Sequence, residues 1–143
     1  MNTDDFFNVM LDTEVNASSY SPLDLAYIGD AVFEVYVRTK LLMQGNVPVN
    51  KLHKEAKKYV SSPAQAKMFE MLKNIITEEE FAVMKRGRNA KSFTSAKNAS
   101  IIDYRHATGV EALIGYLYLS GNNERIKNLL DKVTENQTEN QKG

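Results

Sequence analysis

The sequence predicts an all-α fold, a single helical bundle. Helix starts are marked by serine, asparagine or threonine, with proline or an acid just inside. Between these starts apolar residues recur at spacings of three and four rather than two. Strand signals are weak, and no internal repeat or domain-sized linker interrupts the 143 residues. A chain of this length buries about two-thirds of its surface on folding. With no cysteine, a disulfide scaffold, a Cys-based zinc site and thiol catalysis are all excluded.

Each helix follows from local chemistry. Ser21-Pro22-Leu23-Asp24 supplies a capping serine, proline at the first helical position and an acid at the third. Leu25, Ile28, Val32, Val35, Thr39 and Leu42 then form the expected buried stripe, and Gly45 the expected left-handed end. Asn50 is the expected cap of a short second helix with Leu52, Ala56 and Tyr59 inward. Ser62-Pro63-Ala64-Gln65 reads as a capping box opening a helix to about Lys73, with Met68, Phe69 and Leu72 inward. Thr77-Glu78-Glu79-Glu80 is another, with acids placed at the positive end of the helix dipole. That helix is expected to stop near Gly87, and residues 87–100 to form a loop, since they lack sustained periodicity. A long helix then runs from Ser100 or Ile101 to about Ser120, ending at Gly121. Ile126, Leu129, Leu130 and Val133 mark a last amphipathic helix, and the polar tail 134–143 is expected to be disordered.

The composition, 43% apolar and 25% charged, is that of a soluble globule. Its net charge of zero conceals a segregation. Residues 1–37 carry seven acids and no Lys or Arg, and residues 38–97 carry thirteen bases against five acids. A basic middle beside an acidic segment suits a polyanion met by an acidic site; solvated helix faces explain the same pattern. The start of the chain is acidic and lacks the basic and apolar regions of a signal peptide. No apolar stretch approaches the ~20 residues of a membrane span. A cytoplasmic protein without a membrane partner is expected.

Two carboxylates stand out. Asp30 lies mid-helix among apolar residues, preceded by Gly29, with Glu34 one turn on. It is either an exposed acid on the polar side of the helix or part of a site. Glu111 is flanked almost wholly by small, apolar and aromatic residues. An ionised carboxylate there needs a partner, a metal or solvent access. Two carboxylates on separate helices make a plausible hard-cation site. Magnesium fits, because it takes oxygen ligands, keeps several waters and commonly uses one or two carboxylates plus substrate phosphate. His53 and His106 have no zinc-ligand spacing, and there is no Walker-type phosphate loop or serine-nucleophile motif.

Lys85, Arg86, Arg88, Asn89, Lys91 and Lys97 concentrate long cationic and amide side chains among small polar residues, as phosphate and sugar contacts require. Lys51, Lys54, Lys57 and Lys58 form a second basic face, which an ordinary solvated helix also explains.

Tyr27-Ile-Gly-Asp-Ala-Val-Phe-Glu34 resembles the signature helix of the ribonuclease III family, and Val110-Glu-Ala-Leu-Ile-Gly-Tyr-Leu-Tyr-Leu119 resembles its second acidic motif. The order and separation match. The basic run Lys85–Lys91 between them, and the end of the chain before any double-stranded-RNA-binding domain, resemble the Mini-ribonuclease III branch. The resemblance covers roughly residues 21–133, the expected catalytic domain, after an N-terminal segment 1–20. It implies a ribonuclease III-like bundle and a Mg2+-dependent endoribonuclease that cuts double-stranded RNA. The implied substrate is precursor 23S ribosomal RNA, matured at its ends by a homodimer with one site per strand. Asp30 and Glu111 carry over as metal-binding, catalytic carboxylates. Two other family carboxylate positions hold Ala26 and Thr108 here. Competing readings are a non-catalytic helical RNA-binding module in ribosome assembly and a protein–protein adaptor whose loop meets an acidic partner.

Overall fold

In a computed structural model, the described residues are 6–11, 15–91 and 100–142. Among them the fold is entirely helical: α1 (Phe6–Met10), α2 (Pro22–Met43), α3 (Val49–Val60), α4 (Ser62–Lys73), α5 (Glu78–Asn89), α6 (Ile101–Leu119) and α7 (Asn123–Lys142), with a 3₁₀ turn at Ala17–Ser19. The apolar α6 lies at the centre, packed against α2, α4, α5 and α7. Phe33, Met68, Phe69, Leu72, Met84 and Leu130 are all but fully buried around it, as is its own Leu113.

Most helix starts obey the capping rules. Ser21 accepts from the Asp24 amide at 3.1 Å, and Ser100 from the Asp103 amide at 3.0 Å. The box at Thr77 closes in both directions, at 3.1 Å and 2.9 Å. Its Glu80 also takes a two-pronged ion pair from Arg125, at 2.8 Å and 2.9 Å, which ties α5 to α7.

Several expectations are corrected. The buried stripe of α2 is Leu25, Ala26, Gly29, Phe33, Val37 and Leu41. Val35, Thr39 and Leu42 are exposed, because small Ala26 and Gly29 complete the inner face and rotate those three outward. The helix end is as expected: α2 stops at Met43, Gln44 is its cap, and Gly45 follows at the positive φ of 150° that favours glycine. Helix α3 starts after Pro48, whose fixed backbone takes the place of the expected Asn50 cap. The cap of α4 is Ser61, one residue earlier than expected, and Gln65 takes no part in it. Helix α5 passes through Gly87 to Asn89, because that glycine makes a close contact rather than an end. Helix α7 runs through residues 134–142, where no proline or glycine interrupts the sequence.

Helix α7 is fastened to α2 through Asp131. It accepts from Tyr36 at 2.5 Å and pairs with Lys40 at 3.1 Å and Lys127 at 2.7 Å. Burial pushes the Asp131 carboxyl up, but hydrogen bonds from Lys127, Tyr36 and Lys40 outweigh it and bring it down to about 2. A folded-state value below the ordinary carboxylate range stabilises the fold above that range, and the gain disappears as pH falls toward 2. Asp131→Asn is therefore expected to lower the melting temperature near pH ~7 and to flatten its acid-side decline. Identical melting curves for wild type and variant across that range would contradict the role given to this cluster.

Candidate active site

The two carboxylates meet because two helices touch backbone to backbone. A Cβ on Gly29 would overlap the Glu111 carbonyl, and one on Gly115 would overlap the Leu25 carbonyl. Only residues without a side chain allow α2 and α6 to cross this closely. Asp30, next to Gly29, thereby comes beside Glu111. The pair opens onto a cleft of about 440 Å³, whose wall includes Tyr27, Tyr104 and Thr108.

Glu111 is a strained acid in the electrostatic sense. Burial pushes its carboxyl up to about 8, helped by the Asp30 charge, a hydrogen bond with Asp30 and the more distant Glu34. Against these, Gln65 of α4 donates to Glu111 Oε2 at 3.4 Å. Glu34 pairs with Arg38 at 3.2 Å. The donors are hard oxygen atoms crowded at close range, an arrangement that a divalent cation relieves. Among the described residues, no group of three or more His, Cys, Asp or Glu is placed to hold an ion.

Ala26 and Thr108, which stand where the family usually has carboxylates, both line this cleft. The Thr108 hydroxyl donates to the Tyr104 carbonyl at 3.0 Å. Neither position adds an anionic oxygen, so among the described residues the acidic groups lining the cleft are Asp30 and Glu111.

The basic residues sit on the last turns of α5 and just beyond. A Cβ on Gly87 would fall 2.9 Å from Gly109 Cα, so this helix end docks on α6 shortly before Glu111. Lys85, Arg86, Asn89 and Lys91 are exposed. Arg88 is half-buried, with its guanidinium 5.6 Å from the Phe69 ring centre and its Nε donating to Asn89 at 3.2 Å. Lys97 lies outside the described residues. His106 packs edge-on against Phe69 at 4.5 Å between ring centres, with Nδ1 2.8 Å from the Ile102 carbonyl.

The sequence reading missed Gln65 and Tyr104. The signal for Gln65 was present: it continues the inward series Gln65, Met68, Phe69 and Leu72. Tyr104 carried no distinguishing signal.

Residues 23–122 match the Ribonuclease III domain family. The Mini-ribonuclease 3 of a Thermoanaerobacter species is 51% identical over 124 residues, covering 87% of either chain. That of Brevibacillus brevis is 56% identical over 113 residues, 79% of this chain and 84% of the relative. That of Clostridium tetani is 46% identical over 136 residues, 90% of either chain. A crystal structure of a Fusobacterium nucleatum protein shares the fold with a TM-score of 0.74 and 32% identity, over 83% of this chain and 95% of that one. The chain belongs to the ribonuclease III family, in its Mini-ribonuclease III branch, and is an endoribonuclease. Among the described residues, no helix is long and apolar enough to cross a membrane.

Proposed function

We propose that this chain cuts double-stranded RNA with the help of Mg2+ held by Asp30 and Glu111, and that its substrate is precursor 23S ribosomal RNA in the cytoplasm. The observation that carries the reading is the convergence of these two carboxylates in one cleft, with Glu111 held up to about 8 by burial and by Asp30. A cation at this pair supplies Lewis-acid chemistry: water activation and relief of charge at the scissile phosphate. Asp30 and Glu111 bind and orient it through anionic oxygens. Helix crossing at Gly29 and Gly115 keeps their spacing fixed. Ala26 and Thr108 leave space on the wall where the family's other carboxylates would stand, so water and RNA phosphate complete the donor set.

Lys85, Arg86 and Lys91, beside α6, meet the phosphate backbone; Arg88 contributes from its seat on Phe69, and Lys97 is proposed from the sequence alone as a further RNA contact. The working unit is a homodimer with one site per strand. Helix α2 supports this, since it leaves Tyr27, Val35 and Met43 exposed by 83%, 47% and 79%.

The test is cleavage of a labelled precursor 23S stem by the purified chain, with Mg2+ or with chelator. Cuts in both strands with Mg2+, and none with chelator, are expected. Cleavage that is indifferent to chelator would overturn the metal reading, and an intact stem beside a cleaved unrelated duplex would overturn the substrate.

The basic surface makes its own prediction. Lys85→Ala and Arg86→Ala are cleaner probes than Arg88→Ala, which also removes a packed side chain. Each is expected to weaken duplex binding whatever its sequence and to reduce the salt slope by about 0.7–0.9 per lost phosphate contact. Binding isotherms over a salt series read this directly, and unchanged slopes in both variants would place the RNA elsewhere.

A further inference from the structure

Gln65 is a polar side chain in a place that packing alone assigns to an apolar one. It is 2% exposed and occupies the first inward position of the series completed by Met68, Phe69 and Leu72. Burying an amide is costly unless its groups are paired. Its Nε2 donates to the Val60 carbonyl at 3.0 Å and to Glu111 Oε2 at 3.4 Å. Its Oε1 is buried with no hydrogen-bond partner. The Val60 carbonyl decides which way the amide faces, because turning it over would set two acceptors against each other. The N–H side is therefore held toward Glu111.

We infer that Gln65 is a positioning residue: it clamps one oxygen of Glu111 from α4 and so directs the carboxylate at the cleft and at Asp30. Three helices thus build the acidic pair. Helix α2 brings Asp30, α6 brings Glu111, and α4 fixes how Glu111 points. Holding one carboxylate oxygen restricts rotation of the whole group, so the lone pairs of the other oxygen keep one direction. A carboxylate clamped this way meets a cation with less ordering still to be done. A competing structural role is visible in the same contacts, since Gln65 also closes the end of α3 through Val60. That role affects folding and leaves cation binding untouched.

The inference rests on the metal reading above, and its test separates the two. Mn2+ binding to the RNA-free chain is measured by electron paramagnetic resonance for wild type, Gln65→Leu, Gln65→Met and Glu111→Gln, with a thermal melt of each. Wild type is expected to bind Mn2+ at a site that Glu111→Gln loses. Gln65→Leu and Gln65→Met are expected to melt cooperatively and to bind Mn2+ about ten- to a hundredfold more weakly, the usual effect of losing a hydrogen bond to a charged group. Lower melting temperatures with unchanged Mn2+ affinity would overturn the inference and leave Gln65 as a helix-end tie. A wild type that binds no Mn2+ would overturn both readings. Should neither variant fold, the Gln65 side-chain amide resonance of the wild type decides: it is expected to shift with added Mg2+, and an unmoved resonance while the cation binds overturns the clamp.

Discussion

Asp30→Asn and Glu111→Gln are each expected to fold, to bind duplex RNA and to lose cleavage by about 10³-fold or more. The changes are nearly isosteric, so packing between α2 and α6 is kept. What disappears is one of two anionic oxygen donors in the cleft. Metal stabilisation of a developing phosphoryl charge is worth several kcal/mol, and each ~1.4 kcal/mol is a decade in rate. Glu111→Gln should also relieve the burial of a carboxyl that the fold already pushes up to about 8. It is thus expected to melt no lower than wild type while it fails to cut. Single-turnover cleavage of a labelled duplex, beside a binding isotherm and a melt, reads all three effects. Near-normal turnover in both variants would remove these residues from the reaction.

The second large effect comes from glycine. Gly29→Ala and Gly115→Ala are expected to lower the melting temperature by about 10 °C, taking ~3 kcal/mol of overpacking and ~3–4 °C per kcal/mol. Helix propensity argues the other way, since alanine is favoured over glycine by ~1 kcal/mol in a helix interior. Sterics win because each new methyl would fall on a backbone carbonyl of the facing helix, which no side-chain rotation can clear. The helices must then separate, and the carboxylates with them. A displacement of ~1 Å at a reacting centre can cost ~10²-fold. Cleavage by the folded fraction should fall by about that much. A variant with wild-type melting and wild-type cleavage would show that the crossing does not set the acidic pair.

Much of this was legible in the sequence, for identifiable physical reasons. Caps are local, so Ser21, Thr77 and Ser100 marked their helices correctly from a few residues each. The inward residues of α7 carried a clear 3–4 period and all four are buried. The stripe of α2 was misplaced because its contact face is built of small residues: the eye follows Val35 and Leu42, whereas α6 needs Ala26 and Gly29. Gly87 misled in the same way, as glycine ends helices and also permits close crossings, and only the partner helix decides between them. Gln65 matched a capping box in residue type and spacing. Its side chain instead donates to the Val60 carbonyl and to Glu111, which lies 46 residues further along the chain, and no local rule reaches that far. Asp30 and Glu111 were visible because carboxylates among apolar residues demand an explanation; their juxtaposition required the crossing of α2 with α6.

We propose that a divalent cation site lies between Asp30 and Glu111. Anomalous diffraction from a crystal of the chain grown with duplex RNA and Mn2+ tests it most directly. A peak in contact with both carboxylates and with an RNA phosphate is the expected result. A peak that touches neither Asp30 nor Glu111, in a crystal whose RNA lies in the cleft, would contradict it.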